Sequence, residues 1–174
     1  MTQIVYELLI AGHETTTGLI GNALRRLLTE RQAWGEICRD PALIPNAIEE
    51  VLRFDSPVIA WRRKTTRAVE VGGVPVPTGA NLLLLLGSAN RDPAVFKDPE
   101  HFDIHRQNAE DHLSLGQGVH YCLGAPLARL EARVVLEELS ARLPGLRLVP
   151  GQTLRFRPNT TFRGPLSLLV EWDT

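Results

Sequence analysis

What this sequence has little of narrows it first. It has two cysteines, Cys38 and Cys122, set far apart. Two distant thiols make no disulfide framework, and the expected setting is reduced and cytoplasmic. Charge of either sign is not in excess: the formal net charge is −1, which excludes a strong pull toward nucleic acid or an anionic membrane. Long apolar runs are lacking too. The longest purely aliphatic stretch is Leu82 to Leu86, far short of the roughly 20 residues that cross a bilayer, so no membrane span is expected. No signal-peptide pattern opens the chain, because Glu7 interrupts the first apolar stretch and no basic segment precedes it. Repeats, low-complexity tracts and a clear domain boundary are absent as well. What remains is ordinary: 174 residues, 44% hydrophobic and 22% charged, enough for one domain with its own core.

Periodicity divides the chain into elements. Ile4, Leu8, Ala11, Thr15, Leu19 and Ala23, continued by Leu24, Leu27 and Leu28, predict a helix from about Gln3 to Leu28. It starts mid-pattern, with no capping run-up, which suggests a truncated gene. Short helices are expected near Glu30 to Arg39 and, opened by Pro45, over Ala47 to Phe54. The period then becomes strand-like at Val58–Arg63, Ala68–Val71, Val74–Val76 and Leu82–Leu86, with turns at Gly72-Gly73 and Pro77-Thr78-Gly79. These strands are expected to form one small sheet, with Leu82–Leu86 buried in it. Asn90 to Leu113 reads as a long irregular loop anchored by Phe96, Phe102 and Ile104, with His105 and His112 exposed to solvent. An amphipathic helix over Leu127 to Leu143 ends at Pro144-Gly145, and final strands are expected near Leu146–Val149 and Leu166–Trp172. The fold class is mainly α with a small β-sheet, an α+β domain.

The segment Leu115-Gly116-Gln117-Gly118-Val119-His120-Tyr121-Cys122-Leu123-Gly124 carries the chemistry. It is a glycine-rich loop that delivers one cysteine to the start of a helix. Glycines let the backbone turn sharply and approach a flat partner closely. A helix N-terminus stabilises a thiolate, and loop N–H groups donate to its sulfur. A lone cysteine in a tight turn would be structural, but this spacing resembles the signature of the cytochrome P-450 family, F-G-x-G-x-H-x-C-x-G, at every fixed position but the first, where Leu115 replaces phenylalanine. Ala125-Pro126-Leu127-Ala128-Arg129-Leu130-Glu131 is similar to the bacterial branch. The resemblance implies haem b as cofactor, with Cys122 its axial thiolate, His120 near a propionate, and Gly116, Gly118 and Gly124 shaping the loop. The loss of an aromatic at Leu115 bears on redox potential more than on haem binding.

Three further segments stand in the order that family has. Ala11-Gly12-His13-Glu14-Thr15-Thr16 resembles its oxygen-activation motif. There Ala11 and Gly12 would face the haem, and Glu14 and Thr15 would serve as an acid–alcohol pair for proton delivery. Gly12 and the threonines favour a local widening of the helix. Glu50-Val51-Leu52-Arg53 puts a carboxylate and a guanidinium on one helix face and resembles the family's invariant pair, which locks the irregular loop to the core. The third partner in the family is an arginine in P-E-R-F. Here Pro99-Glu100-His101-Phe102 puts His101 at that position, with Arg106 as a nearby substitute. Arg63, after the strand-like Val58 to Trp61, matches an arginine that pairs with a propionate in the family, with Arg62 as competitor, since strand alternation lets only one face the haem.

The resemblance thus implies the C-terminal half of the cytochrome P-450 fold: residues 1–174 as one incomplete haem-thiolate domain without its N-terminal half. It implies a monooxygenase that inserts one atom of dioxygen into a small lipophilic substrate. Its electrons would come from NAD(P)H through a reductase and a ferredoxin-type donor. The competing expectation is an inactive fragment that at most binds haem.

Overall fold

The computed structural model describes residues 2–173 and is dominated by helices. Helix α1 (Thr2–Thr29) is followed by α2 (Arg31–Arg39), a 3-10 turn at Pro41–Leu43, α3 (Ile44–Phe54), strands β1 (Trp61–Lys64), β2 (Val69–Val71), β3 (Val74–Val76) and β4 (Asn81–Leu84), the short α4 (Leu86–Ala89), α5 (Ala125–Arg142), and strands β5 (Arg147–Leu148) and β6 (Val170–Glu171). Among the described residues, no helix is long and apolar enough to cross a membrane.

The apolar stripes find one another in a single core. Leu19, Ala23 and Leu27 recur every four residues on the second half of α1 and are buried against Trp34 and Ile37 of α2, Ala47, Ile48 and Val51 of α3, and Ala132 and Leu136 of α5. Trp34 is fully buried, and its indole N–H donates to the Pro144 carbonyl at 2.9 Å, which removes the cost of desolvating that donor. The first half of α1 behaves otherwise: Ile4, Leu8 and Leu9 lie open to solvent. Two helices open on proline in the first turn, α3 at Pro45 and α5 at Pro126, where the missing N–H costs no hydrogen bond.

The sheet departs from expectation. The strands form three separate two-stranded ladders, β1–β4, β2–β3 and β5–β6, all antiparallel. The β1–β4 ladder closes on a tight exchange: the Thr65 N–H donates to Ala80 O at 3.0 Å and the Gly79 N–H to Thr65 O at 2.9 Å. Thr65 Oγ1 also donates to Pro77 O at 2.7 Å. Those bonds turn the chain, and Pro77 has no N–H to carry the ladder on into β2–β3. The first predicted strand is shorter than expected, because Val58 makes only an isolated bridge to Phe162. The Leu82–Leu86 run is not buried: Leu83, Leu84 and Leu85 are exposed, and Leu86 already belongs to α4.

Asn90 to Leu113 is irregular apart from one 3-10 turn at Ala109–Asp111, and it is pinned by Phe96, Phe102 and Ile104, all buried. His112 is an exception to the expected solvent exposure. It is buried between α3 and the loop, while His105 is exposed and pairs with Glu36 of α2 at 2.7 Å.

Candidate functional site

The cysteine loop is built on left-handed glycines. Gly116 and Gly118 have φ of +75° and +70°, values that a side chain tolerates poorly. A Cβ on Gly116 would also come within 3.4 Å of the His120 carbonyl. From Gly118 the chain makes a 3-10 turn to His120. The Cys122 N–H donates back to the Leu115 carbonyl at 2.9 Å, and the Ala125 N–H to the Cys122 carbonyl at 3.2 Å, so Cys122 is fixed two residues before the cap of α5. Its thiol is exposed. Val119 and Leu123 flank it with 97% and 91% of their surface open, while Leu115 packs inward against the core. An exposed soft thiol on a hydrogen-bonded loop, flanked by open apolar side chains, suits a flat hydrophobic group held through iron. His120 is exposed at the end of the 3-10 turn, beside this surface. Gly124 caps α5, and a Cβ there would sit 3.9 Å from the Cys122 sulfur.

On α1 the expected widening is not seen: α-helix runs unbroken from Thr2 to Thr29. The Thr15 hydroxyl donates to the Ala11 carbonyl at 2.6 Å. That back-bond satisfies the threonine within an intact helix, and no carbonyl is released. Ala11 and Gly12 are exposed, and nothing lies within 4 Å of the place a Gly12 Cβ would take. Glu14 and Thr15 point in different directions, as consecutive helical residues must. Glu14 pairs with Arg157 at 3.0 Å, beside a cavity of about 60 Å³ that His13, Thr17 and Phe162 also line.

The ion pair on α3 is fully buried. Arg53 grips Glu50 with both arms, Nε to Oε2 at 2.6 Å and Nη2 to Oε1 at 2.7 Å. Its other donors reach the carbonyls of Asn90, Pro99 and His101 at 3.0, 3.0 and 3.1 Å. All five guanidinium N–H groups therefore have acceptors. The third partner is Arg106, not His101. Arg106 Nε lies 3.2 Å from both Glu50 oxygens, and its other nitrogens donate to the carbonyls of Lys97, Asp98 and His101. His101 is exposed and contributes its main-chain carbonyl to both arginines. An irregular loop has carbonyls with no ladder partner, and a fork of donors on a long stem can reach them where an imidazole cannot.

Arg62 and Arg63 are both exposed on β1; Arg63 pairs with Leu82 in register, and its Nη1 donates to the Arg62 carbonyl at 2.9 Å.

Glu49 and His112, which lie outside every motif, help tie the cysteine loop to α3. Glu49 accepts both arms of Arg129 at 2.7 and 2.8 Å and faces His112 Nε2 at 3.2 Å. Arg129 also reaches the Tyr121 hydroxyl at 3.0 Å. Burial pushes the Glu49 carboxyl up, but hydrogen bonds from Arg129 and His112 outweigh it and hold the group down at about 2. Asn90 and Ser114 are buried beside them. The Glu49-Glu50 doublet was the available signal, because adjacent helical carboxylates point to different partners.

The cytochrome P450 family model matches residues 42–142. Cytochrome P450 107B1 of Saccharopolyspora erythraea is 44% identical over 163 residues, which is 92% of this chain and 40% of that protein. The 6-deoxyerythronolide B hydroxylase of the same organism is 41% identical over 174 residues, 99% of this chain and 43% of that one. Among solved structures, the Tepidiphilus thermophilus P450 heme domain superposes with a TM-score of 0.95 at 51% identity, over 98% of this chain and 41% of that one. This chain belongs to the cytochrome P450 family and spans about 40% of the length of these relatives. Members of the family bind haem b.

Proposed function

We propose that this chain forms the cysteine-ligand side of a haem-dependent monooxygenase, with Cys122 as the thiolate ligand. The observation that carries the reading is the exposed Cys122, held by its own N–H at the mouth of α5 on a loop of left-handed glycines. When bound, the haem supplies the iron at which dioxygen is reduced, one oxygen atom passing to a small lipophilic substrate and the other leaving as water. The chain's own residues bind and orient. The apolar side chains Val119 and Leu123 exclude water from the sulfur side. His120 and one of Arg62 and Arg63 are the cationic or donor groups for propionates. Ala11 and Gly12 leave room for the macrocycle against α1. Thr15 Oγ1 holds a proton, here donated to Ala11 O, that a turn about χ1 would present to the other side. Glu14, tied to Arg157, is the acid from which that proton would be replaced. Glu50, Arg53 and Arg106 hold the loop that leads to Cys122. Electrons come from NAD(P)H through a reductase and a ferredoxin-type donor, in the cytoplasm. Cys122→Ala tests the reading: the ferrous protein under carbon monoxide is expected to lose its red-shifted thiolate Soret band, and retention of that band would show that another ligand binds iron.

For the 174 residues alone, the exposed apolar side chains on α1 and around Cys122 favour a second reading, a chain that binds haem at most and does not turn over.

A further inference from the structure

We infer that Asn90 is a positioning residue for the cysteine loop, acting through the three-residue stem Leu113–Leu115; this rests on Cys122 being the ligand. The stem ends where the loop is tethered, because the Leu115 carbonyl accepts the Cys122 N–H and the Leu113 carbonyl the Gly116 N–H, both at 2.9 Å. The stem is itself irregular, so side chains must satisfy its polar groups. One fully buried residue takes two of them. Asn90 Oδ1 accepts the Leu113 N–H at 2.7 Å, and Asn90 Nδ2 donates to Ser114 Oγ at 2.8 Å. Ser114 Oγ in turn gives its proton to the Leu52 carbonyl of α3 at 2.6 Å, so only its lone pairs face Asn90. That fixes the amide's orientation: the oxygen must meet the N–H and the nitrogen the hydroxyl.

No other side chain of this size supplies both arms. Aspartate has no donor for Ser114, and leucine has neither group. The main chain of Asn90 is also held, since its carbonyl accepts Arg53 Nη1 at 3.0 Å and its N–H donates to Leu86 O at 2.9 Å. Asn90 therefore joins the Glu50–Arg53 centre to the stem in one residue. A second tie works from the other side. The Ser114 N–H donates to His112 Nδ1 at 3.2 Å, which leaves the ring proton on Nε2, facing Glu49. The stem's direction, and with it the place of Cys122, is set by buried polar partners and not by apolar packing alone.

The test is amide hydrogen exchange in the 174-residue chain, which needs no haem. Asn90→Ala and Ser114→Ala are compared with Trp34→Phe, which loses a buried hydrogen bond at the end of α5 and not at the stem. Where Val51 in α3 reports global opening, the Asn90 and Ser114 variants are expected to speed Cys122 and Gly116 exchange at least ten-fold beyond any change at Val51. Trp34→Phe is expected to speed all three alike. Should Asn90→Ala not fold, Ser114→Ala, which keeps the Leu113 tie, is read the same way. Cys122 exchange that rises only in step with Val51 would overturn the inference and leave Asn90 a general stabiliser. Failure of the ligand reading is separate: Cys122→Ala would keep the thiolate band, whatever the exchange rates.

Discussion

Glu49 and Glu50 are chain neighbours on α3, yet their carboxylates serve different partners. Glu50 is closed in by two guanidiniums, while Glu49, its side chain 15% exposed, pairs with Arg129 and His112. Its folded value of about 2 lies below the ordinary 4.5. The charged form therefore stabilises the fold above about pH 4.5, and that contribution is lost as pH falls toward 2. Glu49→Gln is expected to lower stability near pH 7 by on the order of 1–3 kcal/mol, since it weakens charge-assisted hydrogen bonds. The deficit against the parent should shrink between about pH 4.5 and 2. Urea midpoints at pH 7, 4 and 3 check this, and a deficit independent of pH would show that the carboxylate's charge is not what holds Arg129. At Thr15 the expectation concerns chemistry. If the proposed monooxygenase function holds, Thr15→Ala removes the hydroxyl proton now donated to Ala11, and peroxide released per electron consumed should rise several-fold while product falls. Unchanged coupling would leave Thr15 a helix residue with a satisfied hydroxyl.

Helix α3 shows what an element can announce and what it cannot. Its start at Pro45, its run to Phe54 and the Glu50–Arg53 face were all legible, because they are local. The third ion partner was legible only as two alternatives, His101 and the nearby substitute Arg106. Position in the chain pointed to His101, but reach decides, and only the longer Arg106 stem returns to Glu50 from five residues further on. Glu50→Ala or Arg53→Ala leaves buried charge without its partner and is expected to cost roughly 3–5 kcal/mol. His101→Ala, which removes an exposed ring and keeps the carbonyl, should stay within about 0.5 kcal/mol. Denaturant unfolding of the three variants, side by side, checks both. The small strands failed for a related reason. Their pairing depends on partners distant in sequence, and a proline-bearing turn splits what a period-two pattern reads as one sheet. Asn90, Ser114 and His112 were hidden because polar residues in loops read as solvent-facing. An irregular loop with buried backbone must turn such residues inward to satisfy it.

At the scale of the whole molecule, the core is closed while apolar surface is left open elsewhere. The core joins α1, α2, α3 and α5. Open apolar surfaces include the first half of α1, with Ile4, Val5, Leu8 and Leu9, the loop flank, with Val119, Leu123 and Leu127, and the Leu83–Leu85 run. Exposed apolar groups of this kind favour association. The 174 residues alone, reconstituted with haem and given a ferredoxin system or peroxide, are expected to form product no faster than free haem and to self-associate in sedimentation. Product well above that background would overturn the inactive reading. The same division of closed core and open surface falls on the tryptophans. Trp34 is sealed with its indole N–H on Pro144, whereas Trp61 and Trp172 are 42% and 48% exposed. The chain thus carries its own optical labels. Blue-edge emission comes from one indole and reports whether α2 is docked on the end of α5. Red-edge emission comes from the other two, open to a quencher dissolved in the buffer. Unfolding followed at the two edges would then separate loss of the core from events at the surface, with no label attached.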